Sequence, residues 1–388
     1  PLARAWLLVP AALAAFVVVG YPDGALGVAW PSIRAGFNLP LAALGIPLAA
    51  ISVGFLASAA ASGPLARRLG TSRMLLTATA GAGCALLLVA VSPVFAVLVA
   101  AQVLLGLSVG VLDAGLNAYF ALRQSARQMN LLHSAYGAGT FLGPLVVTGS
   151  LLTLGSWRPA YLVAVLLEAA VWLAIWAGRE DWLDAPTAAP RPRAALTAAA
   201  RSRRLVLAAA IGTFFVYTGL EVSAGQWAYS FLSEARHLPP SVAGPLVSGY
   251  WGALTAGRLL AAGLGDRLRP TRLLEASLGL SLVGAALFWW SPRVWLGVAG
   301  LGLLGLGLAA IYPTLMTLTP ARIGAAGTNN AVGFQAAGAG IGAALLPAAV
   351  GLVLQQRGLL ALGPLLVALV LVMIAINWAA SRPAVTAA

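Results

Sequence analysis

Four carboxyl side chains interrupt long apolar stretches of this sequence: Asp23, Asp113, Glu168 and Glu221. A charged side chain at the centre of a bilayer costs about 2.5–3.5 kcal/mol on insertion scales, so such acids face a wet interior and carry function by default. The chemistry open to them is reversible proton binding, because apolar surroundings tolerate a neutral carboxyl and penalise an ionised one. Asp23 shares a helical face with Gly20, Gly27 and Trp30, a setting that a substrate can reach. Asp113 and Asn117 stand four apart, hence on one face, with Gly106 and Gly110 on that face to admit a close neighbour. Asn130 and His133 open the next apolar run, which places His133 and Asn117 at similar depth on a helical hairpin. Imidazole titrates near neutral pH and suits a proton relay; a plain hydrogen bond between helices fits it equally well.

Glu221 lies near the middle of a later run, and Arg258 lies inside the run after that. A buried guanidinium needs a partner. Glu221 is the leading candidate, followed by Asn329, Asn330 and Asp266. Trp30, Tyr136, Gln226, Trp227, Trp251 and Gln335 add aromatic faces and amides of the kind a sugar requires. Tryptophan and tyrosine also gather at membrane interfaces, which is the competing reading for Trp30 and Trp227. The expected proton-coupling set is Asp23, Asp113, Glu221 and His133. The expected substrate contacts are those six residues with Asn117, Asn130, Arg258, Asn329 and Asn330. Glu168 is left outside the site, as a structural or lipid-facing acid.

The elements that must position these groups follow from composition. The 388 residues are 61% hydrophobic and 9% charged, against roughly 25% charged in soluble domains. Soluble globules, disordered chains and disulfide scaffolds are excluded. Apolar runs fall near 6–30, 41–64, 74–92, 94–119, 130–154, 158–178, 205–232, 241–264, 273–290, 294–319, 324–354 and 358–380, which predicts twelve spanning helices. The first run is too long for a signal peptide and lacks a cleavage-like site, so it is expected to be a span. All 23 basic residues are arginine, and the net charge is +13. With the N-terminus inside, five arginines face out (Arg34, Arg158, Arg236, Arg293 and Arg357), Arg258 is within a span, and the other 17 face in. That bias places both termini in the cytoplasm of a cell with this protein in its inner membrane. No aromatic-interleaved basic patch suggests nucleic acid.

Residues 179–204 form the longest polar stretch and read as a linker between bundles at 1–178 and 205–380, with a tail at 381–388. A constant offset of 199 residues supports a duplication: Leu39-Pro40 meets Leu238-Pro239, Arg68-Leu69 meets Arg267-Leu268, and Ser92-Pro93 meets Ser291-Pro292. Asn130 meets Asn329, Gly139 meets Gly338 and Gly143 meets Gly342 at the same offset. Six spans per copy give both copies one orientation, the plan of transporters with a midplane site between parallel repeats. The fold expected is all-α, with two pseudo-symmetric six-helix bundles.

The loop after the second run reads Gly63-Pro-Leu-Ala-Arg-Arg-Leu-Gly, and its repeat partner reads Gly263-Leu-Gly-Asp266-Arg267. Both resemble the Gly-x-x-x-Asp-Arg-x-Gly loop signature of the major facilitator superfamily, except that Arg67 stands where the first copy should carry Asp. A narrower resemblance is to the fucose–proton symporter branch. It rests on Asp23, Gly110-Val-Leu-Asp113-Ala-Gly-Leu-Asn117, Asn130-Leu-Leu-His133-Ser-Ala-Tyr136, Gly219-Leu-Glu221, Gly225-Gln226-Trp227 and Gly257-Arg258. That resemblance implies proton coupling at Asp23 and Asp113.

Proton-coupled symport of a sugar or similar polar solute is therefore expected, by a monomer in the lipid bilayer. A proton-driven exporter of drugs or metabolites is the alternative, since the same acids serve both. A non-transporting receptor would carry an appended domain, and the spans take up almost all of this chain. No P-loop, HExxH motif or nucleophile–base constellation suggests an enzyme or an ATP-driven pump. Two histidines and the single Cys84 leave no basis for a metal site, a cofactor or an internal disulfide. Gly338-Ala-Gly340 and Gly305-Leu-Gly307 lie inside apolar runs and read as helix contacts, not nucleotide loops.

Overall fold

A computed structural model describes residues 8–182, 201–264, 268–291, 293–323 and 328–381. Asp266, most of the 179–204 linker and the tail beyond Ser381 lie outside the described residues. Six helices make up the first half of the described chain: α1 (Leu8–Gly36), α2 (Gly45–Leu69), α3 (Thr71–Val91), α4 (Phe95–Arg123), α5 (Ala126–Leu154) and α6 (Arg158–Ala177). Seven follow: α7 (Arg201–Ser230), α8 (Pro240–Leu264), α9 (Pro270–Trp290), α10 (Val294–Ala309), α11 (Ile311–Ile323), α12 (Thr328–Arg357) and α13 (Leu362–Ser381). They correspond one to one with the twelve apolar runs, except that the run at 294–319 is two helices, α10 and α11. Among the described residues, eleven segments are long and apolar enough to cross a membrane; α10 and α11 count together as Val294–Ile323, and α8 is outside that set.

Helical structure is what an apolar chain must adopt where water cannot satisfy its backbone. Local residues set the ends. Ser125 and Gln128 form a capping box at the start of α5, each satisfying an amide the helix leaves open. Gly155 ends the same helix in the left-handed region at φ 65°, a conformation that costs glycine little. Packing then joins the helices: α1 lies on α5, α2 on α4, and α3 on both α4 and α6.

Glycines set how near these helices come. A Cβ built on Gly139 would lie 2.0 Å from the Val17 carbonyl oxygen, and one on Gly24 would lie 2.1 Å from that of Thr140. The repeat partners of Gly139 and Gly143 act alike: Gly338 faces Ile211 and Gly342 faces Phe215, where α12 meets α7. Gly139→Val should therefore lower stability by about 3 kcal/mol, since neither backbone can yield without separating the helices. Gly149→Ala, in the same helix with nothing within 4 Å of its Cβ position, should stay within about 0.5 kcal/mol of the parent. Thermal unfolding of the two variants in detergent checks the contrast.

The chain divides into two compact units. The first comprises Pro1–Ala189 with Ala228–Gly252, and the second Pro190–Trp227 with Ala253–Ala388. Within the first unit, Arg34 near the end of α1 pairs with Glu234 in a π-helical turn after α7. Also within it, the Ser248 hydroxyl of α8 donates to the Phe141 carbonyl of α5.

Candidate functional site

In the first unit, Asp23 lies past the midpoint of α1 and is partly accessible. The Tyr136 hydroxyl of α5 donates to Asp23 Oδ2 at 2.5 Å. Glycines explain how a phenol reaches that carboxylate: a Cβ on Gly20 would meet the Tyr136 carbonyl oxygen at 2.1 Å, so α1 and α5 touch backbone to backbone there. A neutral carboxyl keeps an acceptor oxygen, so Tyr136 can hold Asp23 in place in both protonation states. Tyr161 of α6 is within electrostatic range of Asp23 and is fully buried. Among the described residues nothing hydrogen-bonds its hydroxyl. Sequence reasoning passed over Tyr161, weighing only Glu168 from the sixth span and leaving that acid outside the site.

Asp113 and Asn117 also meet. Asn117 Nδ2 donates to Asp113 Oδ1 at 3.0 Å and to the Asp113 carbonyl at 2.9 Å. The contact is internal to α4, as their spacing of four residues requires. His133 is exposed and sets its ring edge-on to Phe16 of α1, 5.8 Å between centroids. Asn130 is exposed, and its carbonyl accepts from the Ser134 hydroxyl.

In the second unit, Arg258 Nη2 lies 3.4 Å from Glu221 Oε1. The Tyr217 hydroxyl, one turn earlier on α7, donates to Glu221 Oε2. The acid is thus held from both sides, with its side chain 11% exposed and that of Arg258 30% exposed. The partner expected for Arg258 is the one found. Tyr217 carries a signal that sequence reading passed over, the i,i+4 spacing to Glu221.

Trp30 is fully buried, its indole N–H donates to the Leu41 carbonyl at 3.1 Å, and its ring packs near Phe95. Trp227 is fully buried and donates to the Pro347 carbonyl at 3.0 Å. Both are enclosed by protein, each with its indole N–H on a backbone carbonyl. The reason is local: Trp30 pins the 41–44 turn that follows α1, and Trp227 meets the carbonyl at a helix proline. Gln335 is buried, and its amide oxygen accepts from Thr319 of α11 at 3.1 Å. Gln226 and Trp251 are buried, Asn330 is partly accessible, and the side chain of Asn329 lies outside the described residues. Glu168 is buried against α3, where a Cβ on Gly83 would stand 3.5 Å from its Cγ, so it is not lipid-facing. Among the described residues no group of three or more His, Cys, Asp or Glu side chains is placed to hold a metal.

The sequence model of the Major Facilitator Superfamily matches residues 12–229 and again 209–387. The chain is 23% identical over 383 residues to the sodium-dependent glucose transporter 1A of Mus musculus, covering 87% of this chain and 88% of that one. It superposes on a bacterial homologue of the human lysosomal transporter Spinster, in an inward-facing and occupied conformation, with a TM-score of 0.81 at 13% identity, over 98% of this chain and 97% of the other. A D-xylose–proton symporter gives a TM-score of 0.75 at 14% identity, over 96% and 97%. Transporters of nucleosides and peptides share the fold as well.

Proposed function

The chain belongs to the major facilitator superfamily and is a membrane transporter of that type, and from this we propose that it moves a sugar or similar small polar solute together with protons by alternating access. The observation that carries the reading is the Asp23–Tyr136 pair: a partly accessible carboxyl inside a spanning helix, held by a phenol. A phenol is neutral and holds the carboxyl in either protonation state, so taking up a proton relieves the cost of an ion in apolar surroundings without breaking the contact. Glu221, by contrast, is matched by a guanidinium. The two acids thus have different work. Asp23 carries the proton, with Asp113 supporting it; Glu221 and Arg258 form the polar wall of the substrate site.

The resemblance of Asp23 and Asp113 to the fucose–proton symporter branch favours a sugar, as do the sugars for which the mouse relative and the xylose symporter are named. The arginine bias favours an inner-membrane protein with both termini in the cytoplasm, working as a monomer of two duplicated halves at 1–178 and 205–380.

Uptake into proteoliposomes tests the reading. D-glucose and D-xylose are offered under an imposed pH gradient, acidic outside, and separately under a sodium gradient at equal pH. Accumulation of either sugar above its external concentration under the pH gradient is the expected result. Accumulation under the sodium gradient alone would replace the proton with sodium as coupling ion. Efflux of hydrophobic cations with no sugar uptake would turn the reading to an exporter.

A further inference from the structure

The first unit holds a second phenol near Asp23 besides Tyr136. Tyr161 lies in the first turn of α6 and is fully buried, and among the described residues its hydroxyl has no hydrogen-bond partner. A buried hydroxyl without a partner is rare, because burial removes the water that would otherwise satisfy it. Packing accounts for the ring but not for the hydroxyl. Trp157, one turn earlier, meets the ring edge-on at 5.6 Å between centroids. Arg158 donates to the Ala90 and Ser92 carbonyls at 2.7 Å each, which pins the start of α6 to the end of α3.

Helix α1 meets α6 at this level. The Tyr21 hydroxyl donates at 2.8 Å to the carbonyl of Ala160, the residue before Tyr161. Asp23 is two residues beyond Tyr21, and Tyr161 is within electrostatic range of both. The other ionisable groups on the elements packed here are engaged or lie further off. From α5, Tyr136 already bonds Asp23, and His133 lies on Phe16, about two turns earlier in α1. From α4, Asp113 is bonded by Asn117 of its own helix. From α6, Arg158 is taken up by α3, and Glu168 sits seven residues further along, against Gly83. α3 carries Arg73 at its opposite end and the exposed Cys84. Arg34, Tyr119, Arg123 and Arg127 stand at or near helix ends.

We propose that Tyr161 is a positioning residue for the coupling proton: its hydroxyl, unpaired in this structure, turns onto the Asp23 carboxylate when the proton leaves. The proposal rests on the reading of Asp23 as the proton carrier. A carboxylate has room for several donors, and a hydrogen bond to the ionised form favours that form. Tyr136 supplies the constant contact and Tyr161 the conditional one, so release does not leave a poorly solvated anion among apolar side chains. The phenol keeps its own proton throughout, and the proton from Asp23 passes to water on the accessible side.

Infrared titration of the full chain in lipid bilayers tests this without assuming a substrate. The C=O stretch of the protonated Asp23 carboxyl is the difference between wild type and Asp23→Asn across a pH series. The same difference is then taken with Tyr161→Phe present in both proteins. The midpoint should rise by about one pH unit, the low end for losing a hydrogen bond to a charged group. The sign follows from the form that loses the donor: the ionised carboxyl is less favoured, so the proton is held to higher pH. Phenylalanine keeps the ring and its contact with Trp157, and a role in packing alone would leave the midpoint where it was.

Tyr21→Phe is the control, since it removes a neighbouring phenol hydroxyl that bonds backbone. It should lower Tm and leave the midpoint in place. A shift as large as that of Tyr161→Phe would assign the effect to loosened packing and overturn the proposal. An Asp23 band with the wild-type midpoint in Tyr161→Phe overturns the proposal alone. Absence of any band that depends on Asp23 overturns the wider proton reading, and this proposal with it.

Discussion

Asp23→Asn is expected to end sugar accumulation driven by a pH gradient while leaving sugar exchange at equal concentrations intact. A pH difference of one unit, with one proton moved per sugar, supports about tenfold accumulation. Asparagine keeps the size and an acceptor oxygen for Tyr136 yet can take up no proton, so the variant should fill liposomes only to the external concentration. Exchange survives because the neutral side chain mimics the protonated state in which the carrier reorients. Asp113→Asn, made separately, tests the support role: slower accumulation that reaches the same final level is expected. Tyr136→Phe removes the 2.5 Å hydrogen bond to Asp23 but no titrating carboxyl. It should slow uptake and leave accumulation possible. Initial rates and end points of labelled sugar uptake separate the three results. Wild-type accumulation in both Asn variants would remove the carboxyls from the mechanism.

Glu221→Gln should be the most destabilising single change in the proposed site. It leaves the Arg258 guanidinium inside a spanning helix without its carboxylate. Removing one partner of a buried pair costs about 3–5 kcal/mol; the low end, about 3 kcal/mol, applies here because Arg258 keeps 30% exposure. Arg258→Met combined with Glu221→Gln removes both charges and should recover much of the loss, giving a coupling energy of about 1–3 kcal/mol in a double-mutant cycle. Thermal unfolding in detergent measures that coupling. Sugar uptake should stay impaired in the double variant even as stability returns, because the polar wall for substrate is gone. Recovery of both stability and uptake would make the pair a structural element only.

Parts of this protein could be read without a structure because the physics behind them is local. A chain with 61% hydrophobic residues in runs of spanning length has no fold open to it but membrane helices. The Arg258–Glu221 pair was legible for a similar reason: a guanidinium in an apolar span demands an anion, and only a few lie within reach. Asp113 and Asn117 meet because one helix face forces them together.

Tertiary structure decided the rest. Asp23 and Tyr136 are 113 residues apart, and their contact depends on the rotation of α1 against α5. The glycines at 20, 24, 139 and 143 set that rotation through close backbone contacts. The aromatic residues show the same limit. Trp30 and Trp227 look like ligand faces or interface anchors in sequence, yet each is sealed inside protein with its N–H on a backbone carbonyl. Tyr161 drew no attention as one more tyrosine in an apolar run, until the contact of α1 with α6 set it near Asp23. Composition and periodicity determine which segments are helices and which residues are costly in lipid. They carry no record of how one helix is turned against another, because that angle is settled by packing between residues far apart in the chain.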